Sequence, residues 1–124
     1  MADEGIIAAD EAADVVARLR HRMINEALPL WSTVGWDNSS GGFIDRLHRD
    51  GTADTAAPRR VMVQARQIYC YAKAAQMGWY PEGRAIALKG LEHLLAKTKA
   101  PDGKPGYVHR LAPDGAVLDS RRDA

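Results

Sequence analysis

Apolar positions along the chain fall into three stretches with helical spacing, separated by two that break it. From about Ile7 to Leu30, the residues Ala12, Val15, Val16, Leu19, Met23, Ala27 and Leu30 recur at the i, i+3, i+4, i+7 spacing of a helix with one buried face. Asp10, Glu11 and Asp14 in its early turns and Arg18, Arg20 and Arg22 later suit the helix dipole. Pro29 lacks an N–H and is expected to kink or end this helix. Between Ser32 and Pro58 the period is lost. Asn38 to Gly42 is loop chemistry, and Phe43, Ile44 and Leu47 ahead of Asp50-Gly51 predict a small hairpin turning at that pair.

A second helix should begin near Pro58 or Arg59 and end at Gly78, punctuated by Pro at its start and Gly past its end. Val61, Met62, Val63, Ala65, Ile68, Tyr69, Cys70, Tyr71, Ala72, Ala74, Ala75 and Met77 cover every face of it, which predicts burial on all sides. A chain of three helices cannot surround one of them, so partner structure is implied. The third helix follows Pro81 and runs to about Lys97. Its expected buried stripe is Ile86, Ala87, Leu88, Leu91, Leu94 and Leu95, with Glu82, Lys89, His93 and Lys97 on the solvent side. After the loop from Ala100, a second hairpin is predicted from Gly106 to Asp119, turning at Asp114-Gly115.

The two hairpin segments superimpose. Gly42 to Gly51 and Gly106 to Gly115, 64 positions apart, share Gly, Arg, Leu, Asp and Gly in register, with Phe43 against Tyr107 and Ile44 against Val108. The unit is therefore amphipathic helix, hairpin, apolar helix, turn. It is too long for a tetratricopeptide or ankyrin repeat, and it suits a closed ring of helical hairpins with the apolar helices inside. Repeats bury their cores against neighbours, so at least three are generally needed, and this chain holds one and a half.

Composition and charge narrow the chemistry. The chain has 124 residues and is 46% hydrophobic, with 21 Ala and 8 aromatic residues, a small-residue bias that favours close-packed helices over a β-sandwich. A net charge of +1, with only the Arg59-Arg60 and Arg121-Arg122 pairs as basic clusters, argues against a nucleic-acid partner. No apolar run reaches membrane-spanning length, and the acidic start is unlike a signal peptide, so the expected location is cytoplasmic and no membrane partner is expected. Cys70 stands alone in an apolar stretch and is expected to be a buried small hydrophobe. No His-x-x-x-His or nucleophile motif occurs, and Gly41-Gly42 lacks the Lys and the strand-to-helix setting of a phosphate loop.

Trp31, the Gly41-Gly42-Phe43 turn, Asp50-Gly51, the run from Arg59 to Tyr69 with its Gln-Ala-Arg-Gln core, Gly78 to Arg84, and Gly106 to His109 resemble the N-terminal part of the N-acylglucosamine 2-epimerase family. That family includes N-acylglucosamine and cellobiose 2-epimerases and mannose or mannose-6-phosphate isomerases. The resemblance implies a mainly α chain, the N-terminal fragment of an (α/α)6 barrel: residues 1–124 form a partial barrel domain of one and a half helical-hairpin units, with two short hairpins on one face. It also implies proton transfer next to a sugar carbonyl by two histidines of later helices, without a cofactor or metal, acting on a small sugar or sugar phosphate. The full-length form is open to homodimerisation.

None of the four histidines here matches those positions. His21, His48 and His93 are expected at the surface, and His109 lies where substrate would enter. Arg66 matches the family arginine facing the barrel cavity. As a charge in a nearly apolar helix it needs either a substrate oxygen or an acid from a missing helix. Met62 and Tyr69 share its face, together with Cys70 and Lys73, and are candidates to line the sugar pocket, with core packing as their alternative. Arg59 could reach an anionic group, and Tyr107 could stack on a sugar; solvent exposure and hairpin packing are their alternatives. Two other readings stand beside this one. A non-catalytic helical-repeat binding module would fold on its own, and an (α/α)6 glycoside hydrolase would need paired carboxylates that the inner helix lacks.

Overall fold

A computed structural model describes residues 8–123, with the side chain of Asp123 excepted. The first helical stretch is α1 (Ala9–Arg22), a π-helical turn (Met23–Ala27) and α2 (Leu28–Thr33); the predicted start at Ile7 lies outside the described residues. Of the two outcomes expected at Pro29, a kink or an end, the helix does not end there but runs on to Thr33. The π-turn shifts the hydrogen-bond register, so that the Leu28 N–H reaches back to the Met23 carbonyl and Pro29 enters the first turn of α2, where its missing N–H does least harm.

The Asp50-Gly51 turn forms as predicted, with the His48 N–H 2.8 Å from the Thr52 carbonyl and Gly51 at φ +87°. Only Leu47 and Ala53 pair across it, while Phe43 bridges back to Trp36, so the first hairpin is two isolated bridges rather than two strands. Arg59–Arg60 then forms a strand, β1, and the second helix is α3 (Val61–Gln76). Gly78, at φ +74°, ends it as anticipated.

The third helix, α4 (Gly83–Lys97), returns antiparallel along α3. Its contact face is made of small residues: Gly83, Ala87 and Gly90 are buried, and Gly90 lies against Ile68 and Phe43. The predicted leucine stripe is corrected. Leu88, Leu91 and Leu95 face solvent, because close approach of the two helices runs through the glycines and not through the leucines. The second hairpin forms about the predicted turn but runs past Asp119: β2 (Tyr107–Leu111) pairs with β3 (Val117–Asp123), and β2 also takes β1 on its other edge, giving the order β1-β2-β3.

One core cluster joins Leu28, Phe43, Tyr71, Ala74 and Ala87, with Trp31, Trp36 and Tyr80 around it. Phe43 stacks on Tyr71 at 5.8 Å, and the Tyr71 hydroxyl donates to the Leu28 carbonyl at 2.5 Å. Burial pushes the Tyr71 phenol above its ordinary pKa, which keeps that donor protonated. A second cluster, Val61, Val108 and Leu111, seats the sheet on the start of α3.

Two burial expectations fail. In α3 only Val61, Gln64, Tyr71 and Ala74 are buried, while Met62, Arg66, Tyr69, Lys73 and also Cys70 are exposed. No residue of α1 is buried, and its Val15, Val16 and Leu19 lie open.

The repeat is visible in the backbone. The Ile44 N–H bonds the Gly35 carbonyl and the Val108 N–H the Thr98 carbonyl, both at 2.8 Å. Trp36–Phe43 and Lys99–Tyr107 are matching antiparallel bridges. Asp37 N–H to Gly42 and Ala100 N–H to Gly106 repeat at 2.9 and 3.0 Å. Across the two Asp-Gly turns, Arg46 pairs with Asp54 at 2.9 Å and Arg110 with Asp119 at 3.4 Å.

Candidate functional site

The start of α3 is clasped to the first loop by buried polar contacts. Gln64, 1% exposed, accepts from the Phe43 N–H at 2.8 Å and donates to the Phe43 carbonyl at 2.6 Å, closing both backbone groups of a core residue. Gly41 and Gly42, at φ +80° and +83°, turn the chain beneath the ring of His93. A Cβ on Gly42 would stand 2.6 Å from His93 Nε2, so both the backbone angle and the space demand glycine here. His93 is therefore half-buried and not on the solvent side as expected. Burial, assisted by Lys97, lowers its pKa below the ordinary histidine value, against an opposing pull from Asp37.

Arg59 and Asp37 complete the clasp. Arg59 is 4% exposed, and its guanidinium donates to the Ala57 carbonyl at 2.5 Å and to Asp37 at 3.2 Å, with a weaker contact to the Thr55 carbonyl at 3.4 Å. Neither of its expected roles, anion capture or solvation, matches this placement. Burial pushes the Asp37 carboxyl up, but the N–H groups of Ser40 and Ser39 and the Arg59 guanidinium outweigh it and hold the pKa below the usual value. Next to it, Asp45 accepts from the Arg60 N–H and its guanidinium at 3.0–3.3 Å.

The remaining candidates lie elsewhere. Met62 (50% exposed), Arg66 and Tyr69 (66% exposed) fall on one open stripe of α3 with Lys73. Arg66 makes no ion pair or hydrogen bond among the described residues. Tyr107 opens β2 and is 37% exposed, and His109 is half-buried in the same strand. The structure thus groups Met62, Arg66 and Tyr69, sets Tyr107 and His109 together on β2, and takes Arg59 into the loop. His21 is exposed beside Asn25, and His48 is exposed at the hairpin tip. No cluster of three or more His, Cys, Asp or Glu able to hold a metal occurs among the described residues, and no helix among them is long and apolar enough to cross a membrane.

What the sequence reading missed is the joint role of Gln64, His93 and Gly42. The signal was present, since the Gly-Gly-Phe turn and the Gln-Ala-Arg-Gln helix are the two halves of the clasp.

Residues 42–124 match the sequence model of the N-acylglucosamine 2-epimerase (GlcNAc 2-epimerase) family. A mannose-6-phosphate isomerase of Rhizobium meliloti is 36% identical over 97 residues, 78% of this chain and 24% of that protein. The structure of cellobiose 2-epimerase from Spirochaeta thermophila superimposes with a TM-score of 0.77 at 20% identity, over 90% of this chain and 27% of that one. A sugar epimerase from a ruminal bacterium gives 0.75 at 19% identity, over 86% and 27%. The chain spans about a quarter of the length of these relatives. With the family model matching the chain from Gly42 through α3, α4 and the sheet, the chain belongs to the N-acylglucosamine 2-epimerase family.

Proposed function

We propose that this chain is the N-terminal part of a sugar 2-epimerase or aldose–ketose isomerase of the N-acylglucosamine, mannose or mannose-6-phosphate type. Its helices form the first units of an (α/α)6 barrel, with α3 inside. A base removes the proton next to the sugar carbonyl, an enediolate-like intermediate forms, and an acid returns the proton. The two groups are histidines supplied from outside these 124 residues, because imidazole titrates near neutrality. Arg66 then faces the substrate and stabilises the developing oxyanion. The observation that carries this reading is the open stripe of Met62, Arg66 and Tyr69 on α3, an apolar helix in a chain of this family.

The test is a chimera in which this chain replaces the homologous stretch of the Rhizobium meliloti isomerase. The chimera should interconvert its sugar phosphates, and R66A should lower kcat by about 100-fold or more. An active R66A chimera would remove Arg66 from the chemistry. The 124-residue chain alone should be inactive; turnover by it would overturn the placement of the histidines. A second reading, a non-catalytic helical-repeat binding module, draws on the open apolar residues of α1, α3 and α4. It predicts a chimera without activity and an isolated chain that unfolds cooperatively by circular dichroism.

A further inference from the structure

α3 carries its buried and its open side chains on opposite sides. Gln64 and Tyr71 are buried, whereas Met62, Arg66 and Tyr69 lie open. Arg66 follows Gln64 by two residues, about 200° around the helix, so the two side chains leave it in nearly opposite directions. Whatever fixes the rotation of α3 about its own axis therefore fixes the direction in which Arg66 points. The glycine face of α4 supplies little of that constraint. Gly83, Ala87 and Gly90 set the distance between the helices but present nothing longer than a methyl group.

Polar contacts on the buried side supply it instead. The Gln64 amide is held twice by one residue, accepting from the Phe43 N–H at 2.8 Å and donating to the Phe43 carbonyl at 2.6 Å. It is also walled in, since the place that a Gly42 Cβ would take lies 3.1 Å from Gln64 Oε1 and 2.6 Å from His93 Nε2. Two residues past Phe43, the Asp45 carboxylate accepts from the N–H of Arg60, the cap residue of α3, at 3.0 Å. The segment from Phe43 to Asp45 is thus a brace across the first turn of α3. The bond from the Tyr71 hydroxyl to the Leu28 carbonyl lies on the same face, about two turns further along.

We propose that Gln64 is a positioning residue for Arg66, a role that rests on the chemistry assigned to Arg66 above. Its paired bonds to Phe43 lock the rotation of α3 and so aim the guanidinium at the reacting oxygen. At a side-chain radius of about 5–6 Å, turning the helix by about 20° displaces the head by about 2 Å. A misplacement of about 1 Å can cost on the order of 100-fold in rate.

The test is a double-mutant cycle in the chimera with the Rhizobium meliloti isomerase, with rates taken per folded molecule and folding followed by circular dichroism. Q64L removes both bonds. It should lower kcat by about tenfold or more and change KM by less than about twofold, because Arg66 acts in the transition state. In an R66A background the same substitution should cost nothing further, since no guanidinium remains to be aimed. Factors that multiply in Q64L/R66A, a parent-like kcat in Q64L, or a loss confined to KM would each overturn the positioning role. Q64N keeps the amide but shortens its reach by one methylene, and it carries the same cycle, with the same outcomes, where Q64L does not fold. An R66A chimera as active as its parent removes Arg66 from the reaction and this role with it. A slow R66A chimera with multiplying factors removes the positioning role alone.

Discussion

Gln64 carries more of the local structure than its polar, single-residue character suggests. Its amide is the partner of both backbone groups of Phe43, and Phe43 in turn stacks on Tyr71 and meets the Trp36 ring edge to face. Q64L fills similar space but leaves a buried donor and acceptor unpaired, so a loss of about 2–4 kcal/mol in urea unfolding is expected. His93 adds a pH dependence to the same clasp. Its folded pKa is depressed, so the unfolded chain binds the proton more readily. The stability contributed by the neutral ring is complete above the unfolded value, near 6.5, and is lost as pH falls through the depressed folded one. The groups facing it are Asp37, which opposes the shift, and Lys97, which reinforces it. Urea midpoints between pH 7.5 and 5 should fall for the native chain and flatten in H93Q. Asp37 titrates in a separate, more acid window, since its folded pKa is also lowered.

Helix spans were legible wherever punctuation was chemical: Gly78 past α3, Pro81 ahead of α4, and Asp114-Gly115 between β2 and β3. The faces of those helices were less so, for a physical reason. Hydrophobic periodicity locates large side chains, but α3 and α4 meet through Gly83, Ala87 and Gly90, which let the backbones approach. A Cβ on Gly83 would sit 2.5 Å from the Tyr71 carbonyl oxygen, whereas one on Gly90 would meet the Ile68 side chain at 2.9 Å and the Phe43 ring at 3.0 Å. Backbone cannot yield as a side chain can. G83A should therefore cost more than G90A, about 1–3 kcal/mol net of the roughly 1 kcal/mol that alanine gains in helix propensity. Thermal midpoints of the two variants check the order, and a larger loss from G90A would contradict it.

At the scale of the whole molecule, the internal repeat was readable because five residues of the Gly42–Gly51 segment recur in register, and the paired hydrogen bonds at Ile44 and Val108 give that likeness a structural meaning. The burial of α3 on all sides and of one face of α1 was not realised, since those inferences concerned surfaces that the 124 residues do not cover. α1 shows this most directly. It spans 14 residues with none buried, and its lower end is tied to the fold through Arg20 over the Trp79 ring at 5.7 Å and through Met23 beside the core. A helix of this length held by so little packing is marginal in water. Deleting residues 9–19 from the 124-residue chain should accordingly shift its urea midpoint by less than about 1 kcal/mol equivalent. In the chimera with the relative's remaining length, Val15, Val16 and Leu19 would be packed wherever the ring of hairpins closes on α1. Burying three such side chains contributes about 1.5–3 kcal/mol each, so the same deletion there should lower stability several-fold more. Equal effects in the two proteins would mean that α1 is a surface appendage and not the closing helix of a ring.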